Sequence, residues 1–184
     1  NQYEAMPMRN CLQIMTGLLL LHAAAAFAED AKDISWHQFA EEPFKVSGLA
    51  WFSQDKSFCR MPLSSLDKLP AAVKGLSEDP AGGQIRFQTD SPSLSVKASL
   101  NGKANMAHMP ATWQYGIDCY WGKDGEPLKF IGVSKYDISK DSYECALFKG
   151  RGNEMRNIVL NLPLYGGIKD LQIGLAHGAK ILPP

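Results

Sequence analysis

The sequence predicts an all-β domain, a two-sheet antiparallel β-sandwich of jelly-roll-like topology. Three observations carry this: short stretches in which apolar and polar residues alternate, turn-forming residues at close spacing between them, and almost no helical periodicity after residue 28. Many short strands with so little helix favour two packed sheets over a parallel sheet wrapped in helices.

At the start, residues 8–28 read as a secretory signal. Arg9 supplies the positive end, residues 12–25 the apolar middle, and Ala26-Phe27-Ala28 a small-residue cleavage site before Glu29. The strongly apolar core GLLLLHAAAAFA is shorter than the ~20 residues of a spanning helix, and acidic residues follow at once. We therefore expect a cleaved leader, a secreted or periplasmic protein, and no membrane association after processing. Cys11 stands too early to accept a lipid. Residues 1–7 precede a start at Met8 or Met6 and are read as upstream sequence. Removing 28 of 184 residues leaves 156, enough for one well-buried domain.

Residues 64–74, SSLDKLPAAVK, offer a turn or two of helix that Pro70 interrupts. The strands follow. In 84–89, Ile85 and Phe87 point one way and Arg86 and Gln88 the other; 93–100 sets Leu94, Val96, Ala98 and Leu100 on one face. Residues 115–121 alternate Tyr115, Ile117, Cys119 and Trp121 against Gly116, Asp118 and Tyr120, and GKDGEP then supplies a hairpin turn. Segments 128–133, 142–148, 157–162 and 170–175 bring the count to at least seven strands. Repeats and low-complexity segments are lacking.

Charge and motifs exclude several function classes. The processed chain balances 18 basic against 18 acidic residues, without a basic stripe for nucleic acid or an acidic tail for a cationic partner. Cys59, Cys119 and Cys145 form no C-x-x-C pair and have no histidine at zinc spacing. One disulfide with a spare thiol, or three reduced and buried cysteines behaving as small apolar residues, fit the odd count equally well; the second is the expectation. No H-E-x-x-H, P-loop or G-x-G-x-x-G occurs, so neither metal nor cofactor is assigned. Nor is there a G-x-S-x-G or a Gly-Asp-Ser: Gly132-Val-Ser134 lacks the second glycine of a nucleophile turn and Thr89-Asp-Ser91-Pro the first, and no catalytic residue is assigned in this chain. Glu41 and Glu42, beside Pro43, read as a solvated loop. His37 reads as an exposed neighbour of Trp36 and Phe39, which dock the start of the domain, and His177 as a loop residue past the last strand.

The stretch HMPATWQYGIDCY, residues 108–120, concentrates the remaining chemistry. It resembles the H-M-P-A-T-x-x-x-G-x-D-L-Y segment of the domain, named for its G-x-D-L-Y motif, that precedes the catalytic domain in a group of SGNH (GDSL-type) hydrolases. Gly116, Asp118 and Tyr120 match, and Cys119 replaces the usual leucine. Trp36, PFKVSGLAW, FCRMP in place of an Arg-Leu-Pro, GGQIRFQTDSPSLSVK and LNLPLYGGIKDLQIGL align in order, spanning Ile34 to about Ile181. The resemblance implies a sandwich akin to carbohydrate-binding modules at 29–181, a linker starting at 182–184, and a following α/β/α hydrolase domain bearing the serine, glycine, asparagine and histidine blocks that this sequence lacks.

The expected function is that of a non-catalytic N-terminal domain of a secreted SGNH/GDSL-type esterase acting on acylated carbohydrate, with the hydrolase domain as partner. A free-standing sugar-binding or adhesive sandwich is the alternative. His108, Met109, Thr112, Asp118, Tyr120 and Tyr165 are the candidates for ligand or domain contact. For Asp118 a second role is open and preferred, that of tying down the 108–112 loop through backbone N–H groups.

Overall fold

The computed structural model describes residues 33–184. Residues 1–7 and the leader read at 8–28 lie outside them. The compact unit Ser35–Pro184 holds the sandwich.

Ten strands form it: β1 (Ile34–Gln38), β2 (Lys45–Ser47), β3 (Gln84–Thr89), β4 (Leu94–Leu100), β5 (Asp118–Gly122), β6 (Lys129–Val133), β7 (Ser142–Phe148), β8 (Arg156–Asn161), β9 (Ile168–Ala176) and β10 (Ile181–Leu182). One sheet runs β1-β9-β4-β7. The other runs β10-β3-β8-β5-β6, with β2 beside β10 along the same edge of β3. Successive strands cross from sheet to sheet at every step except β2–β3 and β5–β6, the jelly-roll-like order expected.

In β3 and β4 the core lies where alternation placed it, and residues of β8 and β9 complete it. Ile85 and Phe87 of β3, Leu94, Val96, Ala98 and Leu100 of β4, Ile158 and Leu160 of β8, and Leu171, Ile173 and Leu175 of β9 are all at most 1% exposed. Each contributes on the order of 2 kcal/mol through burial, less for Ala98. Aromatic rings extend the same core: Phe39 stacks on Phe58 at 4.8 Å and tilts against Phe52 at 5.6 Å. Trp36 instead carries the Lys97 ammonium 4.2 Å from its ring.

Pro70 divides the helical stretch as its chemistry requires. A 3₁₀ turn, Leu63–Lys68, precedes it, and the proline caps helix α2 (Ala71–Ser77), with its carbonyl accepting from Lys74 N–H at 3.0 Å. A shorter helix, α1 (Phe52–Asp55), lies before them.

Four readings need correction. Tyr115 does not open strand β5; it ends a helix, α3 (Ala111–Tyr115), capped by Pro110. His37 is half-buried, with its ring 6.1 Å from that of Phe44. His177, exposed as expected, is followed by a further strand, and Leu182, read as linker, pairs there with Gln88. The three cysteines are free, yet only Cys59 and Cys119 are buried, Cys145 being half-buried.

Candidate functional site

Residues 108–120 turn from loop to helix to strand within one short run. Pro110 biases Met109 toward an extended backbone and starts α3, its carbonyl accepting from Trp113 N–H at 3.0 Å and Gln114 N–H at 3.3 Å. The helix stops at Gly116, whose N–H donates to the Thr112 carbonyl at 2.9 Å. A Cβ on Gly116 would lie 2.2 Å from that carbonyl oxygen, so only glycine lets the chain pass so close before entering β5.

From there strand geometry divides the side chains. Ile117 and Cys119 are fully buried in the core. Asp118 and Tyr120 face outward, as alternation predicts, in rows fixed by the sheet register: Gln84, Asn161 and Asp118 form one, Arg86, Val159 and Tyr120 the next. Gln84 Nε2 donates to Asn161 Oδ1 at 2.9 Å, and Tyr120 packs edge-on against the exposed ring of Phe130 at 5.5 Å.

The first of these rows is the floor of a cleft of about 400 Å³. Thr112 and Gly116 make one wall. Trp113 and Leu164 stand at the rim, 57% and 47% exposed, and are linked by a 3.2 Å hydrogen bond from Leu164 N–H to the Trp113 carbonyl. Burial raises the Asp118 carboxyl above the usual aspartate range. Among the described residues no group donates a hydrogen bond to that carboxylate.

Asp118 therefore does not tie down the 108–112 loop. Gln114, 3% exposed, holds the loop instead: its Oε1 accepts from Asn105 and Met106 N–H at 3.0 and 3.1 Å, while its Nε2 donates to the Met106 and Met109 carbonyls at 3.3 and 2.8 Å. The physical reason is side-chain direction. Gln114 lies on the buried side of α3, beneath the loop, whereas the strand aims Asp118 at solvent.

Of the sequence-predicted residues, Thr112 and Asp118 line the cleft. Tyr165, 38% exposed, adjoins Leu164 on the same turn, and Tyr120 lies farther along the outer face. His108 sits exposed on a turn, and half-buried Met109 follows it; neither lines the cleft. Trp113, Gln84, Asn161 and Leu164 were not singled out from sequence. The signal for the two amides was their polar phase in otherwise apolar strands. For Trp113 it was the proline-capped helix that the strand reading of 115–121 obscured.

Behind the cleft the polar groups are all engaged. Ser134, fully buried, accepts from Ile117 N–H at 2.8 Å and donates to the Tyr143 hydroxyl at 3.1 Å, which in turn donates to the Tyr115 carbonyl at 2.9 Å. Ser91 is equally buried and accepts from Ala176 N–H at 2.9 Å. Both serines are structural; neither is placed as a nucleophile.

Comparison with known proteins follows the same outline. Residues 34–181 match the family model GxDLY, the N-terminus of SGNH hydrolase-type esterases. Among solved structures, a protein from Bacteroides ovatus ATCC 8483 described as GDSL-like lipase is 29% identical, with a TM-score of 0.71, over 82% of this chain and 43% of its own. A salicylyl-acyltransferase from a tetracycline biosynthetic pathway shares the fold at 19% identity and a TM-score of 0.58, over 82% of this chain and 42% of its own. The chain thus spans less than half the length of either structure. No curated protein matches.

Proposed function

Because the chain belongs to the GxDLY family, the N-terminal domains of SGNH-type esterases, we propose that it serves a secreted esterase of acylated carbohydrate by packing its Asp118 cleft against the hydrolase domain beside the active site. The observation that carries this reading is the cleft itself: a carboxylate without a hydrogen-bond donor among the described residues, on an amide-lined floor, under the exposed Trp113 and Leu164. Such a surface offers an apolar rim for a loop of the partner domain and acceptors for hydroxyl or backbone donors. Thr112 and Asp118 make the contact at the centre, with Tyr165 and Tyr120 extending it. The chemistry resides in the hydrolase domain, and this domain shapes the approach to it.

The coding sequence beyond Pro184 provides the first test: a stop codon there, with no Gly-Asp-Ser-like block, defeats the proposal. In the whole protein, Trp113→Ala should lower kcat/KM on an acetylated oligosaccharide about tenfold while the fold is kept, with a smaller loss on a simple aryl acetate. Equal activity of variant and parent on both esters would remove the cleft from function. Saturable binding of unacylated glycans by this chain alone would favour the free-standing sugar-binding alternative.

A further inference from the structure

A second recess lies at the far end of β5 and β8 from Asp118. It measures about 270 Å³, and its walls include four cations, Lys123, Lys129, Arg151 and Arg156, against two carboxylates, Glu126 and Glu154. Lys123 and Glu154 neutralise one another at 3.0 Å. That leaves Lys129 and the two arginines facing Glu126.

Arg156 is unusual in its placement. It takes a core-facing position on β8, in phase with Ile158 and Leu160, and is only 8% exposed. Its Nη2 donates to the Gly152 carbonyl. Its Nη1 is buried without a hydrogen-bond partner, and among the described residues no carboxylate stands within ion-pair distance of the guanidinium. Taking a charge out of water costs several kcal/mol unless donors and charge are matched.

The indole of Trp121 compensates in part, with the Arg156 guanidinium 4.7 Å from its ring. Yet Arg151 sits against the same ring at 5.2 Å, so two like charges converge on one indole. Arg151 is exposed, and it forms one side of the recess. An oxyanion between the two guanidinium groups would relieve their repulsion and give the unpartnered N–H an acceptor.

We propose that this recess is a binding site for an oxyanion, carboxylate or phosphate, carried on a ligand no larger than a monosaccharide, with Arg156 and Arg151 as donors and Trp121 as an apolar wall. It is separate from the Asp118 cleft and does not depend on the function proposed for that cleft.

Titration of the ¹⁵N-labelled protein with sodium glucuronate, inorganic phosphate and glucose, following the amides of Gly122 and Gly152, tests it. Saturable shifts with glucuronate or phosphate and none with glucose are expected, and the anion that binds identifies the oxyanion. Arg151→Ala, at an exposed position that leaves the core intact, should weaken binding at least tenfold. Arg156→Lys, which keeps the charge but loses the fork, should weaken it as well. Shifts reproduced by sodium chloride alone, no saturation with either anion, or affinity unchanged in Arg151→Ala would each overturn the assignment.

Discussion

The two sides of residues 108–120 differ sharply in how their polar groups are used. On the inward side, Gln114 makes four hydrogen bonds to the preceding loop, the Tyr115 carbonyl and Ile117 N–H end on the Ser134–Tyr143 chain, and burial together with the neighbouring Asp118 pushes the Cys119 thiol up to about 12. On the outward side, one residue away along the strand, Asp118 has no donor among the described residues and Trp113 is more exposed than not. The same motif thus builds a satisfied scaffold behind and an unsatisfied surface in front. Polar groups that hold a fold have their partners within the chain; those left open are available to something else.

The contrast can be broken from the inward side first. Gly116→Ala should cost the most, roughly 3 kcal/mol or more, because the new methyl meets a backbone carbonyl that can move only with α3. A urea midpoint like that of the parent would show that the helix end yields. Ser134→Ala should cost about 1–3 kcal/mol by leaving Ile117 N–H without an acceptor. Gln114→Ala should cost about 1–2 kcal/mol, since water reaches part of the loop it holds, and should speed amide exchange at Asn105 and Met106.

On the outward side the expected effects are small. Asp118→Asn should change stability at neutral pH by less than about 0.5 kcal/mol, and in the stabilising direction. The sign follows from the raised carboxyl: the folded state holds the proton more tightly, so stability from this group is full below the ordinary aspartate range and is lost as pH rises through the folded value. The difference between variant and parent should therefore vanish in acid. A clear destabilisation at pH 7 would mean that Asp118 has a scaffold role after all. Trp113→Ala should leave the melting curve within a degree or two, because the residue is 57% exposed; a large drop would make the rim part of the scaffold. Thiol alkylation of the native protein sharpens the same division, with half-buried Cys145 reacting before Cys59 and Cys119.

Strand alternation made the sandwich legible before any coordinates. Segments 84–89 and 142–148 coincide with β3 and β7, and the inward set of β4 was read without error. Short edge elements escaped because three residues of β2 or two of β10 carry no periodicity; they form only because β3 offers free backbone groups to pair with. Helix α3 escaped because its five residues continue the alternation of the strand that follows. The candidate site was half legible. Asp118 and Thr112 were named from the motif, while Gln84 and Asn161 come from strands distant in sequence and join it through register alone.

The sequence by itself determined the fold class, the two faces of β3 and β4 and the family to which this chain is similar, because burial imposes a period that a local pattern records. Which residues share a row, that Gln114 rather than Asp118 secures the loop, and that Arg156 brings its charge beside Trp121 were decided by the tertiary structure. Those outcomes depend on pairing between strands far apart in the chain, and no local pattern carries that information.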